Sequence, residues 1–341
     1  MEKKLYGGIN LFKYFCAFLV IAIHTQPFTE ISYSLGYFFT DVLPRIAVPF
    51  FFIAYGYFNN IGLNNAEDKK QYYIKSTKRL IIFYAIWSVI YFPVDFILPI
   101  LKAGFSIKML IHYIINLLFF GSHFHLWFMP ALIISSIFGW LMKSNPKKLL
   151  ILSLFLYLIG LLGCSYSFIG KHIFGLSFFI NSNIYYEAIF TPIRRIFFMG
   201  LPFYAIGYYL PTVKYTWTKR ESIYMTLASI FVFLIEIYSL KIFNESMNVI
   251  ITIGLIPLTA CAFILFKKIY STIQNSKELS QYSTGIYFVH PLFILLITVI
   301  AKIIRHNISP TIIFILTSVL SIIFVYSLLR INHRLLNKLI L

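Results

Sequence analysis

Residues 9–25 read INLFKYFCAFLVIAIHT, an unbroken apolar run whose only basic side chains are Lys13 and His24. Extended to 9–27 and coiled at 1.5 Å per residue, this run spans close to the ~30 Å hydrocarbon core of a bilayer. Strand-type alternation is absent, so the stretch reads as a membrane-crossing helix rather than a barrel strand. Similar stretches recur down the chain at 36–58, 80–101, 125–142, 149–164, 189–210, 222–241, 249–266, 284–304 and 311–329. The expected fold is therefore an all-α polytopic bundle of about ten transmembrane helices, forming a single domain over residues 1–341. Between the third and fourth stretches, Phe105–Phe120 is shorter and amphipathic. It reads as an interfacial helix or a partial span.

Composition supports the same class. Of 341 residues, 60% are hydrophobic and only 12% charged, with a mean hydropathy of +0.82. Soluble domains carry about 25% charge, so a water-soluble globule, a disordered chain and a disulfide scaffold are all excluded as expectations. The net charge of +18 would suggest nucleic acid on a soluble chain. Here its distribution explains it otherwise. With the N-terminus inside, 19 of the 29 Lys and Arg fall in cytoplasmic segments, six in outer segments and four within spans. That asymmetry places both termini in the cytoplasm and leaves no need for a nucleic-acid partner; the expected partner is the lipid bilayer. Lys3 and Lys4 before an apolar run resemble a signal peptide, but no small-residue cleavage site follows, so no cleavage is expected. Cys16, Cys164 and Cys261 show no CxxC spacing, and no metal is expected.

Information concentrates in the few ionisable groups inside the membrane, where a basic residue at mid-bilayer costs ~2.5–3.5 kcal/mol. Lys13 and His24 are eleven residues apart, three turns plus 20°, so they share one helix face about 16 Å apart along the axis. Arg45 opens the second span at the outer level of His24. Arg194 and Arg195 begin the sixth, and His123-Phe124-His125-Leu126-Trp127 lies at the entrance of the fourth. Asp41, Asp95, Glu187 and Glu236 map toward the same outer half. Such a meeting of charges suits either a polar substrate cavity or ion pairing at an aromatic belt. In the ninth span Ser283 and His290 are seven residues apart, again near one face, with Pro291 next. His112, His172, His306 and His333 read as peripheral.

The segment Lys13-x10-His24 resembles the opening signature of the acyltransferase family 3 membrane proteins. Further pieces resemble that family in order: PRIAVPFFFIAYGYF from Pro44, HLWFMPALI from His125, RRIFFMGLPFYAIGYYL from Arg194 and STGIYFVHPLF from Ser283. The chain departs from it at Asn10-Leu11, where many members have Asp-Gly, and in having Lys13 where Arg is commoner. The resemblance implies transfer of an acyl group, with acetyl-CoA the expected donor, to a hydroxyl of an envelope saccharide or another small molecule at the bacterial plasma membrane. It implies His24 as catalytic histidine, Lys13 as its motif partner and contact with the donor, and Arg45 with Arg194 or Arg195 in the family's functional arginine places. Arg194, Arg195, His125, Trp127, Glu236, Ser283 and His290 are the expected substrate-binding residues, and a homodimer is the assembly considered. FLVIAIHT and RIAVPFFF look most like the membrane halves of vancomycin-resistance serine racemases, a domain linked to serine uptake. A transporter of a small solute such as serine is therefore the rival expectation. Mid-span prolines (Pro49, Pro130, Pro202, Pro257, Pro291) suit that rival equally.

Overall fold

The computed structural model describes residues 6–170, 191–243, 251–269, 276–331 and 339–340. Glu187, His172, His333 and the beginning of the sixth expected span lie outside the described residues. All regular structure among the described residues is helical, as the apolar periodicity predicts. The principal helices are α1 (Gly7–Thr25), α2 (Tyr33–Asn65), α3 (Lys69–Ala103), α4 (Ile107–Phe120), α5 (Phe128–Leu141) and α6 (Pro146–Gly163). After them come α7 (Leu201–Tyr209), α8 (Lys219–Phe243), α9 (Leu255–Lys268), α10 (Ser276–Ile303) and α11 (Pro310–Ile331). Polar caps set several of the starts. Asp68 accepts the Gln71 N–H, Asn145 accepts the Lys148 N–H just before Pro146, and Thr218 with Glu221 forms a reciprocal capping box ahead of α8.

Seven of these helices, α1, α2, α3, α6, α8, α10 and α11, are long and apolar enough to cross a membrane. At the other three expected positions the regular helices are shorter than the apolar runs. α5 and α9 have 14 residues each, and α7 has nine after a seven-residue π-helical turn, Arg194–Gly200. The reason is local: hydropathy registers only that residues are apolar, whereas His123–Trp127 and Ile251–Gly254 are irregular backbone. Non-helical backbone at membrane depth survives only when protein covers it. Leu126 and Ile251 are accordingly fully buried.

The chain divides into two compact units. One contains Met1–Phe51, Trp217–Ile230 and Cys261–Leu341; the other contains Phe52–Thr216 and Phe231–Ala260. In the first unit, α1, α10 and α11 pack on one another, and the segment Phe38–Ile46 packs on α1. Ala17, Ile21, Ile286, Val325 and Leu328 form the apolar centre of that packing. At one end the Phe28 N–H donates to Thr311 Oγ1, and the Glu30 carboxylate accepts the Thr311 N–H at the start of α11. Hydrogen bonding from Thr311 holds the Glu30 carboxyl below its ordinary range.

The contacts of α1 with α10 fix their relative direction. Asn10 meets Ser276, Lys13 meets Ser280, and His24 meets His290. Both series ascend together, so the helices are parallel. The ten-segment reading makes α10 the ninth crossing and hence parallel to α1. The seven long helices alone would make it the sixth and antiparallel, and counting α4 as an extra crossing would make it the tenth. The observed direction is the one the ten-segment reading expects, and by itself it fixes only that α10 is an odd-numbered crossing when α1 is the first.

In the second unit α5, α6, α7 and the Arg194–Gly200 turn pack together, with α3 against α5. Gly56 of α2 and Gly207 of α7 meet back to back. A Cβ on Gly56 would strike the Tyr204 carbonyl oxygen, and one on Gly207 would strike that of Ile53. Only hydrogen fits at either position, which explains the two Gly-Tyr pairs of the sequence as a close crossing of backbones.

Candidate active site

The first unit brings together Lys13, His24, Ser283 and His290, four of the residues singled out by spacing. Lys13 Nζ donates to Ser280 Oγ at 2.8 Å, and Ser283 Oγ donates to the Lys13 carbonyl at 2.8 Å. Asn10 Nδ2 donates to the Ser276 carbonyl at 2.9 Å. These contacts form a polar seam along the first turns of both helices, and they hold a half-buried ammonium in one position. Farther along the same seam, the rings of His24 and His290 stack with centroids 5.5 Å apart and planes 18° from parallel. His290 is fully buried and Ser283 nearly so, whereas His24 is half-buried. A cation and a titratable base thus sit on one helix pair, about 16 Å apart by helical rise.

Arg45 lies in the segment that packs on α1. Its guanidinium is oriented by Asp41: Nε donates to the Asp41 carbonyl at 2.7 Å and Nη2 to Oδ1 at 3.1 Å. Thr40 Oγ1 donates to the other carboxylate oxygen at 2.7 Å. Asp41 begins this arrangement inside a π-helical turn, Phe38–Val42. Such turns widen the helix by one residue and often mark functional positions.

The second unit holds the remaining candidates, in separate settings. Arg195 places its guanidinium carbon 5.2 Å from the Trp127 ring centroid, within cation–π range. Arg194 and Arg195 both lie at the start of the Arg194–Gly200 π turn and both are half-buried. His125 is almost completely buried and meets Tyr91 edge to face at 5.1 Å. Glu236 is held by three donors. Its carboxylate accepts Tyr166 Oη–H at 2.6 Å, the Ile253 N–H at 2.7 Å and the Gly254 N–H at 2.6 Å. Tyr157 Oη donates to the Thr252 carbonyl at 2.6 Å. Together they satisfy the irregular backbone that leads into α9, which apolar surroundings would otherwise penalise.

One partner and one pairing were not read from the sequence. Ser280 anchors Lys13, and its spacing of three from Ser283 is the signal that places both on one face. His123 Nδ1 lies 2.7 Å from Asp95 Oδ1, with Tyr91 stacked on the imidazole at 4.3 Å. Asp95 sits in the π turn Pro93–Ile97, so regular helical spacing does not reveal the pairing.

Comparison with known proteins covers nearly the whole chain. A family model described as an acyltransferase domain matches residues 6–330. Over 355 aligned positions the chain is 32% identical to an amino-acid racemase of Enterococcus faecalis, covering 98% of this chain and 47% of that protein. A second amino-acid racemase of that organism is 30% identical over 270 positions, covering 77% of this chain and 36% of the relative. A serine/alanine racemase of Enterococcus gallinarum is 29% identical over 187 positions, 54% of this chain and 25% of the relative. The chain thus spans about half the length, or less, of the curated relatives it matches. No solved structure matches it significantly. With a family match over nearly its whole length and a multi-helix membrane architecture, the chain belongs to the acyltransferase family 3 of integral membrane proteins.

Proposed function

We propose that the protein transfers an acyl group, acetyl in the simplest case, from cytoplasmic acyl-CoA to a hydroxyl of an envelope saccharide or similar small acceptor. Its setting is the bacterial plasma membrane, with both termini in the cytoplasm. The observation that carries this reading is the parallel seam of α1 and α10, with Lys13 anchored at one level and His24 on His290 at another. The donor's phosphates suit a fixed ammonium at the basic cytoplasmic side, and its pantetheine arm would cover a distance of about 16 Å to reach the imidazole.

His24 acts as general base. It takes the proton of the acceptor hydroxyl as that oxygen attacks the thioester carbonyl, forming a C–O bond and an oxyanion. Arg45, oriented by Asp41 in the segment packed on α1, supplies positive charge to the oxyanion. The C–S bond then breaks, and the imidazolium returns its proton to the departing thiolate, leaving an ester and free CoA. Within the second unit, binding of a polar substrate group is the role proposed for Arg195 on Trp127 and for His125.

The test uses inverted membrane vesicles, which expose the cytoplasmic face, supplied with [14C]acetyl-CoA. His24→Ala should lower label incorporation at least about a hundredfold while the purified variant keeps the wild-type melting midpoint. Undiminished incorporation would remove His24 from the chemistry.

A second reading is movement of a small solute such as serine with no covalent step. The relatives' names, amino-acid and serine/alanine racemases, point to the amino acid and not to its movement. On this second reading the seam would line a passage, and serine would bind where acetyl-CoA does not.

A further inference from the structure

Helix α10 contains Pro291 in its interior. Proline has no N–H, so the carbonyl four residues earlier, that of Tyr287, lacks the donor an α-helix normally gives it. His290 Nδ1 lies 2.7 Å from that oxygen and 3.2 Å from the Ile286 carbonyl. A carbonyl oxygen only accepts, so Nδ1 carries the hydrogen, and Nε2 is where this ring gains or loses a proton. The ring is fully buried and lies against that of His24, nearly parallel at 5.5 Å. The Tyr287 ring meets it at 6.2 Å on one side and is itself packed on Phe51 at 5.7 Å.

We propose that His290 is a positioning residue for His24. The carbonyl released by Pro291 fixes the tautomer and rotamer of His290, and the His290 ring then fixes the plane of the His24 imidazole. This rests on the reading of His24 as the base of an acyl transfer. A base must direct its lone pair at the reacting hydroxyl. A stack on an immobilised ring narrows the orientations open to the His24 imidazole. The adjacent His290-Pro291 pair is thereby explained as one device, in which the proline creates the acceptor that orients the histidine before it.

Two measurements on the detergent-purified full chain and its vesicles test the proposal. The first is ring 15N NMR of histidine-labelled protein, with His290 identified by the signal missing in His290→Asn. The wild-type signal should report hydrogen on Nδ1. Pro291→Ala restores a helical donor to Tyr287 and should move the hydrogen toward Nε2. Hydrogen on Nε2 in the wild type, or no change in Pro291→Ala, would overturn the tautomer lock. The second measurement is label transfer from [14C]acetyl-CoA. His290→Ala, which removes both the ring and the donor to the Tyr287 carbonyl, should lose roughly tenfold or more in kcat with KM for acetyl-CoA unchanged, and His290→Phe, which keeps a flat ring without that donor, should lose an intermediate amount. No loss of kcat in His290→Ala at the wild-type melting midpoint, or a change in KM in place of kcat, would overturn positioning. If wild-type vesicles transfer no label, the acyl-transfer reading fails and takes the positioning role with it. The NMR result decides the lock independently.

Discussion

Helices α1 and α10 carry a row of polar side chains beside their apolar contact, whereas α2 and α7 close to backbone contact at two glycines, with one side-chain bond beside them, Asn59 Nδ2 donating to Tyr204 Oη at 3.2 Å. The second contact is what association in a lipid-like interior requires: glycines let two helices approach closely, and dispersion does the rest. Gly56 against the Tyr204 carbonyl and Gly207 against that of Ile53 need no polar side chain. The first contact places an ammonium, two imidazoles and several hydroxyls where apolar residues would pack at lower cost. A fold that can join helices by glycine has no structural need for that seam, so the seam is where chemistry is to be sought.

If the contrast is right, substitutions in the two regions should fail in different ways. The largest effect is expected at the glycine crossing. Gly207→Ala puts a methyl group into the Ile53 backbone and should cost roughly 3 kcal/mol or more, read as a lowered unfolding midpoint and reduced yield of folded protein. A fully stable variant would show that the helices do not touch there. Next comes Glu236→Gln, which presents an amide NH2 to one of the three donors now shared by the carboxylate. It should destabilise by about 2 kcal/mol, with any loss of activity tracking loss of folded protein. A large fall in kcat at unchanged stability would return Glu236 to the chemistry. The smallest effect belongs to the seam itself. Ser280→Ala removes the hydroxyl that holds Lys13 and should raise KM for acetyl-CoA about fivefold, equivalent to ~1 kcal/mol, without moving the melting midpoint. A lowered midpoint with unchanged KM would make the seam structural after all.

The sequence already exposed one side of this contrast. Lys13 and His24 lie on a regular α-helix, where eleven residues return to nearly the same face, and the structure keeps both on the face that meets α10. Ser283 and His290 follow the same arithmetic on α10. Where the backbone is irregular the arithmetic fails. A π turn at Arg194–Gly200 shifts the face by one residue, so spacing could not tell that Arg195 is the one over Trp127. Glu236 accepts from the main-chain N–H groups of Ile253 and Gly254 as well as from Tyr166, and main-chain partners carry no side-chain signal. The length of α5 was overestimated for a related reason: hydropathy reads His125-Leu126-Trp127 as span, and only backbone geometry reveals a turn there.

The seam between α1 and α10 is the proposed receiving site for acyl-CoA. The most direct test is the melting midpoint of the detergent-purified protein titrated with acetyl-CoA and, separately, with L-serine. A ligand that binds only the folded state stabilises it by about 2.7 kcal/mol at a hundred times Kd. Acetyl-CoA should therefore raise the midpoint saturably while L-serine leaves it in place. A rise with L-serine and none with acetyl-CoA would contradict the account and make the seam a passage for the amino acid.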